Sequence, residues 1–318
     1  MYIIAPPATV TQMPRPRHTP GTESGMTEAV LKRPPWHEMV TVRGLRHRLT
    51  WWGERSANPV VLLHGWMDCS ETFQFLVDCL PPDWSCVAPD WRGFGGTEWS
   101  AEGYSFADYF ADLEALLDIV TPNAPAMLIA HSMGGNVASM YAGIRPPRVR
   151  WLANLEGIGL KRSSPDESPA RYAEWLDEVK HPAAPRRYDS TEPVVSFIMA
   201  RNPGITRERA DYLARAWTRP EGGGVMLAFD PRHRNVSPMP IRREEAEACW
   251  RRVEAPVLLF LGEQSEIRPR ISPDGSDEYF HSLFRDLRIV TMPGVGHMMH
   301  LEDPDAIARH IAEFAASR

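Results

Sequence analysis

The chain has 318 residues, of which 43% are hydrophobic and 24% charged; this is close to the soluble globular average, so it excludes wholesale disorder and provides for one large core. A formal net charge of −6 gives no electrostatic basis for nucleic acid or an anionic membrane as partner, which leaves a small-molecule substrate, and a second copy in a homodimer, as the expected partners. Four cysteines without a C-x-x-C pair or framework spacing read as reduced thiols of a cytoplasmic protein, and no apolar run approaches the roughly 18 residues of a membrane span.

Residues 1–35 carry Pro6, Pro7, Pro14, Pro16, Pro20, Pro34 and Pro35 among polar residues with no period to bury, and read as a disordered leader. Residues 38–43 and 46–52 then alternate like half-buried strands about a turn at Gly44, which predicts a hairpin. Short apolar runs follow at 60–63, 86–88, 126–129, 151–153, 257–260 and 287–290, most of them patterned as strands buried on both faces. Helical spacing separates most of these runs, over 106–120, 136–144 and finally 304–314, where Asp303 is placed to cap and Pro304 opens the first turn. Strand and helix alternate, so the predicted sheet is mainly parallel. The alternation breaks over 158–245, where 171–180, 191–201 and 207–217 read as helices between Pro- and Gly-rich connectors. This segment is expected to be a helical lid inserted into a core made of residues 36–157 and 246–318.

Three segments carry chemistry. The strand expected to end at Ile129 runs into Ala130-His131-Ser132-Met133-Gly134-Gly135 and then a helix, the pattern of a nucleophile on a sharp strand-to-helix turn. Such a turn holds the serine in a strained conformation with neighbouring chains close by, so the positions two before and two after it must be small, as Ala130 and Gly134 are. His64-Gly65-Trp66-Met67-Asp68 follows the first strongly apolar strand, where the Trp66 backbone N–H is the expected oxyanion donor and its side chain is expected to help line the pocket; the Met133 N–H at a helix start is the expected second donor. Gly294-Val295-Gly296-His297 lies between the last strand and the last helix and makes His297 the expected general base. His300 completes an H-x-x-H spacing, but no third ligand has sensible spacing and Ser132 needs a base, so neither a metal nor an organic cofactor is expected. His64 and His131 read as packing histidines. A further turn, Asp90-Trp91-Arg92-Gly93-Phe94-Gly95-Gly96-Thr97, reads as structural, because Asp90 repels a phosphate and no P-loop lysine follows.

These pieces in this order resemble the α/β-hydrolase family with a lid after the strand that follows the nucleophile helix, over roughly residues 38–318. The resemblance implies an α/β fold with a mostly parallel sheet of about eight strands flanked by helices, and the chain order serine, acid, histidine. A serine nucleophile argues for acyl transfer and against the carboxylate-ester chemistry of epoxide hydrolases and dehalogenases.

The acid departs from the common pattern. Most of the family places an aspartate in a G-x-x-D turn after the strand that follows the lid, whereas Gly262-Glu263-Gln264-Ser265 has a serine there. A serine cannot stabilise an imidazolium, so the charge must come from Glu156, in Asn154-Leu155-Glu156-Gly157, or from Glu266. Glu156 is preferred, because some haloalkane dehalogenases and the coelenterazine luciferases carry a glutamate at that earlier strand end, and Glu266 is the alternative. The same segment, with Arg171-Tyr172-Ala173-Glu174-Trp175-Leu176, also resembles the serine hydrolase-like group. The expected activity is hydrolysis of a small or medium, largely apolar ester or lactone, with Trp175, Phe197, Met199 and Trp217 offered as pocket-lining residues. The alternatives are C–C or amide hydrolysis by the same residues, or slow-turnover ligand binding.

Overall fold

The computed structural model describes residues 31–318. The expected leader therefore lies outside the described residues as far as residue 30, and of its last five residues Leu31 packs against a buried cluster and Arg33 is tied to the core by hydrogen bonds, while Lys32 and Pro34 are exposed. The Arg33 N–H donates to Asp78 Oδ1 at 2.9 Å, its carbonyl accepts from Gln74 Nε2 at 3.0 Å, and its guanidinium donates to the carbonyls of Val77 and Trp84. Polar composition hides this anchor, because the partners lie more than 40 residues along the chain.

The core begins with strands β1 (Pro35–Val42), β2 (Leu45–Trp52) and β3 (Val60–Leu63), a short helix α1 (Gln74–Val77) and β4 (Cys86–Pro89). Helix α2 (Phe106–Val120), β5 (Ala126–His131), α3 (Met133–Ile144) and β6 (Val149–Leu155) follow. An inserted segment contains α4 (Ser168–Lys180), β7 (Arg187–Tyr188), α5 (Glu192–Arg201), α6 (Arg207–Ala216), β8 (Thr218–Glu221) and β9 (Gly224–Leu227). The chain returns through α7 (Arg243–Trp250), β10 (Val257–Gly262), α8 (Ile267–Arg270), α9 (Asp277–Leu283), β11 (Leu287–Met292), α10 (Met299–Glu302) and α11 (Pro304–Ala316).

Eight strands form one sheet in the order β1-β2-β4-β3-β5-β6-β10-β11, antiparallel through the β1–β2 hairpin and at β2–β4 and parallel from β4 onward. The central strands read as continuous apolar runs because both faces are covered. Val61, Leu63, Leu128, Ala130 and Leu152 join one buried cluster with residues of α2, α3 and α7, while Val60, Leu62, Ile129, Trp151 and Ala153 join another with residues of α1 and α11. Successive residues of one strand thus feed two different cores, as the two-residue side-chain period requires.

The inserted segment is not wholly helical. β7, β9 and β8 make a separate three-stranded antiparallel sheet, whose β8–β9 hairpin turns through Gly222 and Gly223 at φ 56° and 86°. Two consecutive positive φ values fit a tight hairpin turn that only residues such as glycine adopt freely. Pro220 and the glycine run made this stretch look like a connector, because a proline lowers strand propensity wherever it is not at an edge. α7 starts at Arg243, inside the expected insertion, and its Ala246 and Trp250 pack in the same core as Val137 and Tyr141. Among the described residues no helix is long and apolar enough to cross a membrane.

Candidate active site

Parallel strands direct their carboxyl ends to one edge of the sheet, and the loops leaving β3, β5, β6, β10 and β11 meet there. Ser132 sits between β5 and α3 with φ 52° and ψ −115°, a conformation that costs a non-glycine residue about 1–3 kcal/mol and persists only where its surroundings over-determine it. They do so here. The Ser132 N–H donates to Leu155 O at 3.0 Å, and its carbonyl accepts from the Asn136 backbone N–H at 3.0 Å and from Asn136 Nδ2 at 3.2 Å. A side chain at Gly134 would place its Cβ 2.3 Å from the Leu63 carbonyl oxygen, which is why the second position after the serine has none.

His297 Nε2 lies 2.9 Å from Ser132 Oγ, and its Nδ1 donates to Glu156 Oε2 at 2.6 Å. Glu156 is buried, and its carboxylate also accepts from the Ser265 hydroxyl at 2.6 Å and from the Gly262 N–H at 3.0 Å. Glu266, by contrast, is exposed at the start of α8 and is not the carboxylate bonded to His297. Glu156 itself has φ 58°, held by its N–H to Phe260 O at 3.2 Å and by Asn154, whose Oδ1 accepts the Gly157 N–H at 2.5 Å. The Asn154 amide also donates to Ser139 Oγ at 2.7 Å, so one side chain ties the Glu156 turn to α3.

The structure therefore joins Ser132, His297 and Glu156 and leaves Glu266 outside. It also brings in two residues that the sequence did not single out as contributors. Ser265 was read only as a missing acid, although a hydroxyl at the family's usual acid position is a signal that a carboxylate from elsewhere needs a donor there. Asn154 stood in the quoted segment, but its cross-links are invisible in spacing.

The loop after β3 passes close to the serine, because a Cβ on Gly65 would lie 3.2 Å from the Ser132 Cβ. Trp66 and Met67 follow, Met67 at φ 62°. The Trp66 side chain is 52% exposed and its indole donates to His233 O at 3.1 Å, so it spans outward to the inserted segment instead of being enclosed over the serine. Met133 is the first residue of α3, where backbone N–H groups have no intrahelical acceptor. Of the four aromatic and methionine side chains expected to line a pocket, Phe197 and Met199 are exposed, Trp175 is half-buried, and Trp217 donates its indole N–H to Asp68 Oδ1 at 2.8 Å. A cavity of about 550 Å³, lined among others by Arg48, Glu71, Trp99 and Tyr212, includes neither Ser132 nor His297 in its walls.

The neighbouring histidines are not bases for the serine. His64 Nε2 accepts the Trp91 N–H at 3.0 Å, which puts the proton on Nδ1, where it donates to Gly65 O at 2.8 Å; burial pushes its pKa down to about 4. His131 donates from Nε2 to His297 O at 3.0 Å, and burial, with His300 and His297 beside it, holds it well below the usual range. His300 meets Thr72 Oγ1 at 3.2 Å and is pushed down to about 3, chiefly by burial. Burial pushes the Asp68 carboxyl the other way, up to about 7. Asp68, His131 and His300 are the one group of three buried potential metal ligands found close together among the described residues. The Asp90 turn is structural, as expected: Asp90 accepts the N–H groups of Ser70 and Gly96 at 2.7 Å each and the Arg48 Nε at 2.6 Å.

Residues 60–310 match the model of the alpha/beta hydrolase family. The chain belongs to this family. This hydrolase is 27% identical over 271 residues to a serine hydrolase-like protein of Danio rerio, a match covering 83% of each chain. It is 24% identical to a 2-(acetamidomethylene)succinate hydrolase of Mesorhizobium japonicum, covering 82% of this chain and 89% of that one. A hypothetical protein from Pseudomonas aeruginosa superposes with a TM-score of 0.76 at 28% identity, covering 88% of this hydrolase and 98% of that structure.

Proposed function

We propose that this hydrolase cleaves a small or medium, largely apolar carboxylic ester or lactone through an acyl-enzyme on Ser132. The observation that carries the reading is the unbroken series from Ser132 Oγ through both nitrogens of His297 to the buried Glu156 carboxylate, at 2.9 and 2.6 Å. His297 Nε2 takes the proton of Ser132 as Oγ attacks the acyl carbon, and Glu156 holds the imidazole in the required tautomer and stabilises the imidazolium. The N–H groups of Trp66 and Met133 receive the oxyanion, each contributing on the order of 3 kcal/mol to the transition state. The tetrahedral adduct collapses as His297 returns the proton to the leaving alkoxide. Water, deprotonated by the same nitrogen, then attacks the acyl-enzyme and frees the acid and Ser132. The inserted segment serves as a lid, with Trp66 and Trp217 bridging it to the oxyanion loop. Four free thiols support a reducing compartment such as the cytoplasm.

The test is hydrolysis of a chain-length series of p-nitrophenyl esters by wild type, Ser132→Ala, Glu156→Gln and Glu266→Gln. The expected losses in kcat are about 10⁶ for Ser132→Ala and about 10⁴ for Glu156→Gln, with Glu266→Gln within a few-fold of wild type. A second reading keeps the same residues for cleavage of an amide or C–C bond and is favoured by the relative whose substrate is 2-(acetamidomethylene)succinate. Equal inertness of wild type and Ser132→Ala toward every ester would remove the ester reading in its favour.

A further inference from the structure

Behind the catalytic histidine lies a cluster that the proposed reaction does not use. Asp68, His131 and His300 are 5%, 2% and 0% exposed, and a ligand atom from each lies within 4.8 Å of the other two. They come from three separate places: the loop after β3, the last residue of β5 and helix α10. Each also has a buried polar atom without a hydrogen-bond partner among the described residues, namely Asp68 Oδ2, His131 Nδ1 and His300 Nδ1.

The outer bonds of these side chains fix what the free atoms are. His131 Nε2 faces the His297 carbonyl, which can only accept, so the ring proton is on Nε2 and Nδ1 presents a lone pair. Asp68 Oδ1 already accepts the Cys69 N–H and the Trp217 indole N–H, both at 2.8 Å, so Oδ2 is the oxygen without a partner among the described residues. His300 holds Thr72 through Nε2, so its Nδ1 is unmatched in either tautomer. A histidine whose one nitrogen donates to a carbonyl while the other is bare is arranged as metal-binding histidines are, with the outer bond orienting the ring. Two imidazoles and one carboxylate form a donor set suited to zinc and other divalent transition ions.

We propose that Asp68, His131 and His300 bind a divalent transition-metal ion, of which Zn²⁺ is the probe, at a site that restrains the hydrolase when loaded. Binding itself goes beyond the proposed reaction; only the restraint rests on it. Bonds of about 2.0–2.2 Å require the three donors to close up. That movement draws on His131, which directly precedes Ser132 and bonds the His297 carbonyl, while the His131 and His297 rings are 4.8 Å apart. A misplacement of about 1 Å between reacting groups lowers a rate by on the order of a hundredfold.

The experiment loads chelator-treated full-length protein with zinc chloride and reads bound metal by mass spectrometry, melting temperature, and p-nitrophenyl ester hydrolysis before and after chelation. The expected result is one equivalent of Zn²⁺, a higher melting temperature, and a rate lowered at least tenfold that chelator restores. Asp68→Asn and His300→Asn, each checked by its melt, should bind no stoichiometric zinc and show the same rate with and without it. Failure of the folded wild type to retain zinc, or retention of the same equivalent by both variants, overturns the proposal. Zinc bound by a protein that hydrolyses no ester in either state leaves the metal site standing and removes the ester reading; ester hydrolysis without zinc binding does the reverse.

Discussion

The Glu156 carboxylate shows how much one side chain depends on donors from other strands. Its Oε2 accepts both His297 Nδ1–H and the Ser265 hydroxyl at 2.6 Å, and its Oε1 accepts the Gly262 N–H. Hydrogen bonds to a charged group contribute more than neutral ones, about 1.5–3 kcal/mol. Ser265→Ala is therefore expected to lower kcat by roughly tenfold or more with little change in KM, as measured by steady-state kinetics on the best ester. Because Ser265 Oγ and His297 Nδ1 touch the same oxygen, a carboxylate grown from position 265 lies within reach of the imidazole. Glu156→Gln combined with Ser265→Asp should recover at least about tenfold over Glu156→Gln alone; a double variant no faster than the single one would show that the charge must stand at position 156.

At the scale of elements, α3 can approach β6 only because the contact lacks side chains. A Cβ on Gly135 would lie 2.7 Å from Asn154 Oδ1 and 2.8 Å from the Gly157 Cα. Gly135→Ala is expected to cost about 1–3 kcal/mol in urea unfolding through overpacking, and to disturb the Glu156 turn with it. The inserted segment divides into a packed and an unpacked part. In α6, Ala210, Leu213 and Ala214 are fully buried, whereas α4 buries no residue and exposes Tyr172, Leu176 and Val179 along one stripe. Leu213→Ala should cost about 2–5 kcal/mol, while Leu176→Ser should leave the melting temperature nearly unchanged. Amide hydrogen exchange should be faster across α4 than across α6, since local opening follows the scarcity of buried contacts.

For the molecule as a whole, buried neutral histidines add an acid-sensitive component to stability. Burial pushes His64 down to about 4 and His233, stacked between Phe94 and Tyr104, down to about 3. Above pH ~6.5 both are neutral in the folded and unfolded chain and contribute nothing to pH dependence. As pH falls below that value the unfolded chain takes up protons that the folded chain refuses, so stability is lost progressively down to the folded values. His64 alone accounts for a loss on the order of 3 kcal/mol by pH 4. Asp68, raised to about 7, takes up its proton in the folded chain first and opposes this loss over the same range, so the measurement is a difference: the change in urea midpoint between pH 7.5 and 5 should be less destabilising in His233→Gln than in wild type, and an equal change in that variant would place the acid sensitivity elsewhere.

The residue order of the chain determined the strand and helix alternation, the parallel sheet and the positions of Ser132 and His297, because apolar runs and the small-residue turn are local patterns that short stretches of chain impose on themselves. It favoured Glu156 as the acid and kept Glu266 as the alternative. The decision between them depended on which carboxylate is buried beside His297 Nδ1, a matter of how β6, β10 and β11 lie side by side; Glu156 ends an interior strand, whereas Glu266 starts a surface turn. The hairpin within the inserted segment was likewise hidden, since Pro220 and the glycines weaken its local propensity and pairing with β7 supplies the rest. The H-x-x-H spacing paired His300 with His297, which is not in the cluster; Asp68 and His131 lie far from His300 in sequence, and only the meeting of the loop after β3, the end of β5 and α10 brings the three within 4.8 Å. Local period is written along the chain, whereas contact between distant side chains exists only once the sheet has fixed its strand order and sealed its edge.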